Sequence, residues 1–419
     1  MTNANPLVIA GASYAGVQLA ATARELGFAE RIILIGDEAH LPYQRPPLSK
    51  GVLTGKTTLD QLPLRGAGFY EENGIELMLG RRANALDLHA RRVALDDGST
   101  LDYGWFALAV GARCRPVTLP GVDLEGVFNL RTLDDALNVA QAADRCQRAC
   151  IIGGGFIGLE VASALRARGI AVTVIEAQRR LLMRAFPLRM SDYIEGAHRS
   201  RGTEVLTGRG VRALHGLQGR VAAVELDDGA RVDCDLVVFG IGVLPNVELA
   251  RDAGLTVDNG IVVDMLGRSS APQVLAVGDV ANMARPPAPG EPARARLESI
   301  QAANDGAKAA ASLLIGHEQP CTAVPWFWSD QFNLKFQMAG LPQPGDHAVL
   351  RGDMAGDRFS CFYLRDGVLV AAHSVNKPSD HIQSRKLIGA GVRLSADQLA
   401  DESFDLRKVA ITALDPAAA

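Results

Sequence analysis

Two glycine-bearing stretches hold the residue types best suited to seat a phosphorylated ligand. Gly11-Ala12-Ser13-Tyr14-Ala15-Gly16 follows the apolar run 7–10, and Gly153-Gly154-Gly155-Phe156-Ile157-Gly158 follows the run 149–152. Helix-forming sequence continues to Leu26 after the first and to Arg168 after the second. A helix N-terminus presents unpaired N–H groups and a partial positive charge, which suits a pyrophosphate. In this spacing the first glycine makes the turn, the second admits the phosphate, and the third lets helix and strand close together. Ser13 takes the middle glycine's place in the first loop and is small enough to keep the cradle, with slightly less room.

Each loop is answered about 20 residues later by an acid, Asp37 or Glu176, at the end of a second apolar run. A carboxylate there accepts hydrogen bonds from an adenosine ribose and repels a 2′-phosphate, so Glu176 favours NADH over NADPH. Arg179 and Arg180 stand close enough to soften that choice, or are solvated loop charges.

The scaffold that positions these loops is duplicated. Strand, glycine loop, helix, strand and acid recur in order. They are followed by Asp96-Asp97-Gly98 and the run 106–111 in one copy, and by Asp227-Asp228-Gly229 and the run 236–242 in the other. Each copy reads as a βαβ unit followed by a β-meander, around a parallel sheet. The hairpins rest on Asp-Gly turns between apolar runs. Beyond residue 322 the pattern changes to Pro325-Trp326-Phe327-Trp328, alternating runs at 359–364 and 368–372, and a final helix-like stretch. That segment reads as a separate α/β C-terminal domain. Pro286-Pro287-Ala288-Pro289 reads as an exposed loop. The predicted fold class is α/β, with two Rossmann-like dinucleotide-binding domains. The predicted parts are 1–117 with 245–322, 118–244, and a C-terminal 323–419.

Composition narrows the function classes. The 419 residues, 48% hydrophobic and 21% charged, suit a globular chain with a full core and not a disordered or fibrous one. A net charge of -4 gives no reason to expect nucleic acid as a partner. The run 7–12 is too short for a signal peptide, residues 1–6 hold no basic region, and no stretch approaches the roughly 20 apolar residues that span a bilayer. A cytoplasmic location without membrane contact is the expectation. The six cysteines form no C-x-x-C pair, so they are expected to be reduced and mainly buried, and no Cys/His spacing suits a metal.

Further motifs carry a resemblance. They are Pro42-Tyr43-Gln44-Arg45-Pro46-Pro47-Leu48-Ser49-Lys50, Arg131-Thr132-Leu133-Asp134-Asp135, Gly240-Ile241-Gly242-Val243-Leu244-Pro245-Asn246, Val277-Gly278-Asp279 and Trp326-Phe327-Trp328-Ser329-Asp330-Gln331. Over nearly its whole length the chain resembles the FAD-dependent NADH:ferredoxin reductases, the family of putidaredoxin reductase and of the reductase components of aromatic-ring dioxygenases. The resemblance implies a glutathione-reductase-like architecture, with FAD in the first module and NADH in the second. It places Gly11, Ser13, Ala15, Gly16, Asp37, Arg45, Lys50, Ala83, Arg131, Asp279, Ile300 and Trp328 at FAD. It places Gly153, Gly155, Ile157, Gly158, Glu176 and Gly242 at NADH.

Lys50 would then sit beside the flavin ring, where a cation stabilises negative charge building on the isoalloxazine; otherwise it is a surface lysine after a Pro-Pro turn. Asp279 would reach the ribityl chain and phosphate, or simply cap a helix. Glu160 would face the nicotinamide carboxamide, or serve as a helix-dipole acid. Trp328 would lie near the flavin and the ferredoxin docking face, or be a core tryptophan. Val110-Gly111 replaces the Thr-Gly of many relatives, which removes any threonine contact there.

The acceptor follows from sulfur. Disulfide reductases of the wider fold carry a cysteine pair on the helix after the first strand unit, and peroxide-reducing relatives keep one cysteine there. Residues 41–55 hold none, and Cys114, Cys146 and Cys150 come later. No Ser/His/Asp constellation or carboxylate pair suggests proton-transfer machinery. The expected reaction is hydride transfer from NADH to FAD, then single-electron transfer to a [2Fe-2S] ferredoxin serving a cytochrome P450 or Rieske oxygenase. Arg65, Lys335 and Lys408 are candidate docking cations for an acidic partner, or scattered surface charges. Three alternatives stand beside it: a rubredoxin reductase, an NADH oxidase, and a non-enzymatic FAD and NADH binder like apoptosis-inducing factor.

Overall fold

The computed structural model describes residues 5–286 and 293–414. By compactness these part into two units, 5–44 with 59–113 and 244–325, and 45–58 with 114–243 and 326–414.

The first unit is organised by a five-stranded parallel sheet in the order Val274–Ala276, Trp105–Leu108, Leu7–Ala10, Ile32–Gly36, Ile75–Leu79. The central strands read as unbroken apolar runs because both sheet faces are covered. Successive side chains point to opposite faces. Leu7, Ile9 and Leu34 therefore join a core with the helices Tyr14–Glu25 and Ile300–Leu314. Val8, Ala10, Ile33 and Ile35 join a second core with Leu86, Val93 and Leu95 of an antiparallel meander. Fully burying each such Leu, Ile or Val contributes about 1.5–3 kcal/mol. The predicted Asp96-Asp97-Gly98 turn joins the strands Arg92–Leu95 and Thr100–Asp102.

The second unit repeats this plan. Its parallel sheet runs Thr203–Thr207, Ala171–Glu176, Arg148–Ile152, Leu236–Phe239, Val127–Asn129, so the strand before the glycine loop is again central. A meander of Val211–Leu217, Arg220–Leu226 and Arg231–Asp233 covers one face, with Leu214, Val224 and Leu226 against Cys150, Ile152 and Phe239. The C-terminal segment is built on a five-stranded antiparallel sheet, Trp326–Gln331, Leu334–Gly340, Val368–Val375, Arg358–Arg365, His347–Asp353. The helices Pro378–Gly389, Ala396–Ala400 and Leu406–Leu414 follow it. Of the proline-rich stretch only Pro286 is described, and it is exposed; the rest of that loop reading lies outside the described residues. Among the described residues no helix is long and apolar enough to cross a membrane, and no group of His, Cys, Asp and Glu could hold a metal ion.

Candidate active site

In the first unit, sterics fix the glycine loop. Gly11 has φ +120°, and a Cβ there would lie 2.2 Å from the Ala109 carbonyl oxygen. A Cβ on Gly16 would lie 2.0 Å from the Gly11 oxygen. Neither position admits a side chain. Ser13, at φ -138° and ψ -164°, is the N-cap of Tyr14–Glu25 and sits in extended backbone open to any residue. The turn carrying Asp279 packs on the same helix, since a Cβ on Gly278 would come within 2.9 Å of the Ala15 methyl. Ile300 begins a second helix there, capped by Ser299, whose hydroxyl accepts from the Ala302 N–H at 3.1 Å. The structure thus brings Gly11, Ser13, Ala15, Gly16, Asp279 and Ile300 around two helix N-termini. Asp37 is exposed and pairs with Arg82 at 3.3 Å, next to Ala83 on the strand Ala83–Asp87. At that exposure the pair adds little stability.

The second unit holds the other cradle. Gly153 has φ +111°, and its Cβ would lie 2.5 Å from the Gly240 oxygen; that of Gly158 would lie 2.2 Å from the Gly153 oxygen. At Gly155 a Cβ would meet only the Gly240 oxygen, at 3.7 Å. The space before the helix Phe156–Ala167 is therefore open, as a pyrophosphate requires. Glu176 braces the loop: one carboxylate oxygen accepts from the Gly154 N–H at 2.7 Å, the other from the Gln178 N–H at 2.6 Å. Each oxygen keeps lone-pair capacity for a ribose hydroxyl. Ile157, 48% exposed, stands at the helix start.

The two arginines separate. Arg180 donates to the Phe186 and Met183 carbonyls and to the Ser191 hydroxyl, so it shapes its own loop, while Arg179 is exposed. The sequence reading missed Arg184. A Cβ on Gly242 would lie 3.6 Å from its guanidinium, which places a cation at a predicted NADH position.

The same unit joins Lys50 to Glu160. Pro46 and Pro47 start the short 3₁₀ turn Pro46–Ser49, and Lys50 follows it. Glu160 lies in the Phe156–Ala167 helix with its side chain 4% exposed. The Lys50 ammonium is 2.7 Å from one carboxylate oxygen, which also accepts from the Ser49 hydroxyl at 2.5 Å; the other oxygen accepts from the Ser329 hydroxyl at 2.6 Å. A buried charge persists only when paired and hydrogen-bonded in this way. Neither sequence reading of Glu160 anticipated the ion pair. A signal existed, because an acid inside the apolar run around Leu159, Val161 and Ala162 needs a buried partner.

Arg45 and Arg131 also meet, the Arg45 guanidinium donating to the Arg131 carbonyl at 2.7 Å. Trp328 is half-buried rather than in the core, and tilts against Trp326 with ring centres 5.7 Å apart. It neighbours Ser329 on one strand, so it lies on the face opposite the one that holds Glu160. Arg65, Lys335 and Lys408 are exposed.

Burial pushes the Cys114, Cys321 and Cys361 thiols up and the Cys146 thiol up to about 11, while Cys150 is raised chiefly by its hydrogen bond with Cys234. All six cysteines are free.

These features have counterparts among known proteins. Residues 5–307 match the pyridine nucleotide-disulphide oxidoreductase family and residues 326–410 match the reductase C-terminal family. Rhodocoxin reductase of Rhodococcus erythropolis is 41% identical over 401 residues, covering 96% of this chain and 93% of that one. The solved ferredoxin reductase for the CYP199A2 system from Rhodopseudomonas palustris is 39% identical with a TM-score of 0.93, over 97% of this chain and 100% of that one. The reductase in the covalent putidaredoxin reductase–putidaredoxin complex is 36% identical with a TM-score of 0.94, over 98% and 99%. Two glycine cradles, a C-terminal sheet and full-length similarity agree: the chain is an oxidoreductase belonging to the pyridine nucleotide-disulphide oxidoreductase family, among its ferredoxin reductases.

Proposed function

We propose that this protein takes a hydride from NADH onto FAD and passes single electrons to a [2Fe-2S] ferredoxin of a cytochrome P450 or Rieske oxygenase system, in the cytoplasm. The carrying observation is the ion pair of Glu160 with Lys50, a residue of the cysteine-free segment 41–55. Bound FAD supplies a centre that accepts two electrons together and releases them one at a time.

The chain's own residues hold and orient. Gly11, Ser13, Ala15 and Gly16, with Asp37, Ala83, Asp279 and Ile300, are assigned to FAD, as are Arg45, Lys50, Arg131 and Trp328. Gly153, Gly155, Ile157, Gly158, Glu176 and Gly242 are assigned to NADH. Helix N–H groups at both loops carry the phosphates. Glu160 fixes the Lys50 ammonium, so the cation is already placed when negative charge develops. Glu176 repels a 2′-phosphate, which supports NADH over NADPH. The proposed division is 1–117 with 245–322 for FAD, 118–244 for NADH and a C-terminal 323–419, with Arg131 and Trp328 assigned to FAD from outside the first part.

The test is rapid mixing with NADH or NADPH, followed by mixing with candidate ferredoxins and rubredoxin. NADH should bleach the flavin, and a [2Fe-2S] ferredoxin should be reduced faster than rubredoxin or oxygen. Peroxide formation outpacing transfer to every ferredoxin tried would replace this reading with an oxidase.

A further inference from the structure

Beyond Lys50, the carboxylate of Glu160 leads into a buried polar chain. The Ser329 hydroxyl donates to Glu160 at 2.6 Å, the Gln331 amide nitrogen lies 3.1 Å from the Ser329 oxygen, and Nε2 of His198 lies 2.9 Å from the Gln331 amide oxygen. Ser329, Gln331 and His198 are all buried. The direction of every bond is fixed from the charged end. A carboxylate only accepts, so Ser329 donates its one proton to Glu160. Ser329 must then accept from the Gln331 NH₂, which turns the Gln331 oxygen toward His198. An amide oxygen only accepts, so His198 carries its proton on Nε2. His198 Nδ1 is buried without a hydrogen-bond partner. A neutral ring leaves only a lone pair there, whereas an imidazolium would bury an unpaired N–H. Burial lowers the His198 pKa to about 4, outweighing the opposing hydrogen bond with Gln331, and nearby Arg201 acts in the same direction as burial.

We propose that Ser329, Gln331 and His198 are positioning residues for Glu160: a one-way hydrogen-bond chain that orients its carboxylate so that the opposite oxygen holds Lys50. The inference rests on the reading of Lys50 and Glu160 as part of the electron-accepting centre. It ties that pair to the helix Leu188–Ser200, which carries His198.

The charged and titratable groups around the chain are few. The 3₁₀ turn supplies Lys50 and the Phe156–Ala167 helix supplies Glu160. Arg201 follows the His198 helix and pairs with Asp357, which also accepts from Tyr193. His373 reaches the Phe327 face through Phe186 and Phe156. Asp330 and Lys335 are cross-strand partners on the opposite face.

The experiment uses the FAD-loaded protein and two variants. Gln331→Met breaks the chain at every pH and should slow flavin reduction by NADH about tenfold, with the KM for NADH nearly unchanged. Gln331→Glu can still donate to Ser329 when protonated, but once ionised it accepts from Ser329 and takes that proton away from Glu160. Its rate should match the Gln331→Met rate near pH 8.5 and climb toward the wild-type rate near pH 5.5. A merely structural role would give both variants parallel pH profiles, and that result overturns the proposal. A second readout needs no turnover: ¹⁵N shifts of His198 in the wild-type protein should show the neutral Nε2–H tautomer from pH 5.5 to 8. An Nδ1–H tautomer, or titration in that range, equally overturns it. Failure of wild-type protein to react with NADH would sink the functional reading while leaving the tautomer result to stand or fall alone.

Discussion

Lys50 and Glu160, far apart in sequence, meet at 2.7 Å with the carboxylate almost wholly withdrawn from solvent. Removing one partner of such a pair leaves the other charge uncompensated. Lys50→Met should therefore cost roughly 3 kcal/mol of stability, and Glu160→Gln less, because its amide oxygen can still accept from one of the two serines while its NH₂ donates to the other. The double variant should recover part of the loss, giving a coupling of about 1–3 kcal/mol in urea unfolding. Strict additivity would mean that the pair is not a structural unit.

The NADH loop predicts opposite outcomes for two glycines. Gly155→Ala meets no atom of the protein closer than 3.7 Å, so the fold should stand. Its methyl fills the space left for the phosphate, and the KM for NADH should rise on the order of tenfold or more. Gly158→Ala drives a methyl to 2.2 Å from the Gly153 oxygen and should lower the melting temperature. Titrating NADH against both, with a melting curve for each, checks the contrast.

Glu176 braces the loop, and the proposed function also gives it the choice of coenzyme. Glu176→Gln keeps an acceptor for a backbone N–H but loses the repulsion of a 2′-phosphate. The ratio of kcat/KM for NADH over NADPH should fall about tenfold. An unchanged ratio would assign discrimination to other groups, Arg184 and Arg179 first.

Much of this was written locally in the sequence. A glycine loop, its strand, its helix and its acid lie within one short stretch, so spacing alone exposes Gly153, Gly155, Gly158 and Glu176, and the duplication exposes the fold. What spacing could not reveal joins distant segments. Ser49, Glu160, Ser329 and His198 come from a turn, a helix, a strand and another helix, and only tertiary packing brings them together. Where the Arg180 side chain goes depends on how its loop folds, which spacing does not show: it donates to the Phe186 carbonyl and the Ser191 hydroxyl. The motif singles out Trp328, but its direction follows from strand alternation once Ser329 is seen on the Glu160 face.

Burial of histidines predicts acid sensitivity. His198 and His381 are lowered to about 4 and His373 to about 3, in each case chiefly by burial. Unfolded histidine titrates near 6.5, so below that pH the unfolded chain binds protons that the native rings refuse. This stability is fully present above about pH 6.5 and is lost as pH falls toward 4, by on the order of 2 kcal/mol per histidine at pH 4.5. Urea midpoints at pH 7.5 and 4.5 should differ accordingly, and equal midpoints would refute the burial argument.

The proposed route carries electrons from NADH through the flavin to a ferredoxin with no thiol of this chain in the path. Its most direct test is stopped-flow reduction by NADH of protein whose accessible thiols have been alkylated, followed by mixing with [2Fe-2S] ferredoxins. Flavin bleaching and ferredoxin reduction should match those of the untreated protein. A preparation that stays colourless with added FAD, or whose ferredoxin reduction stops on alkylation, would contradict the account.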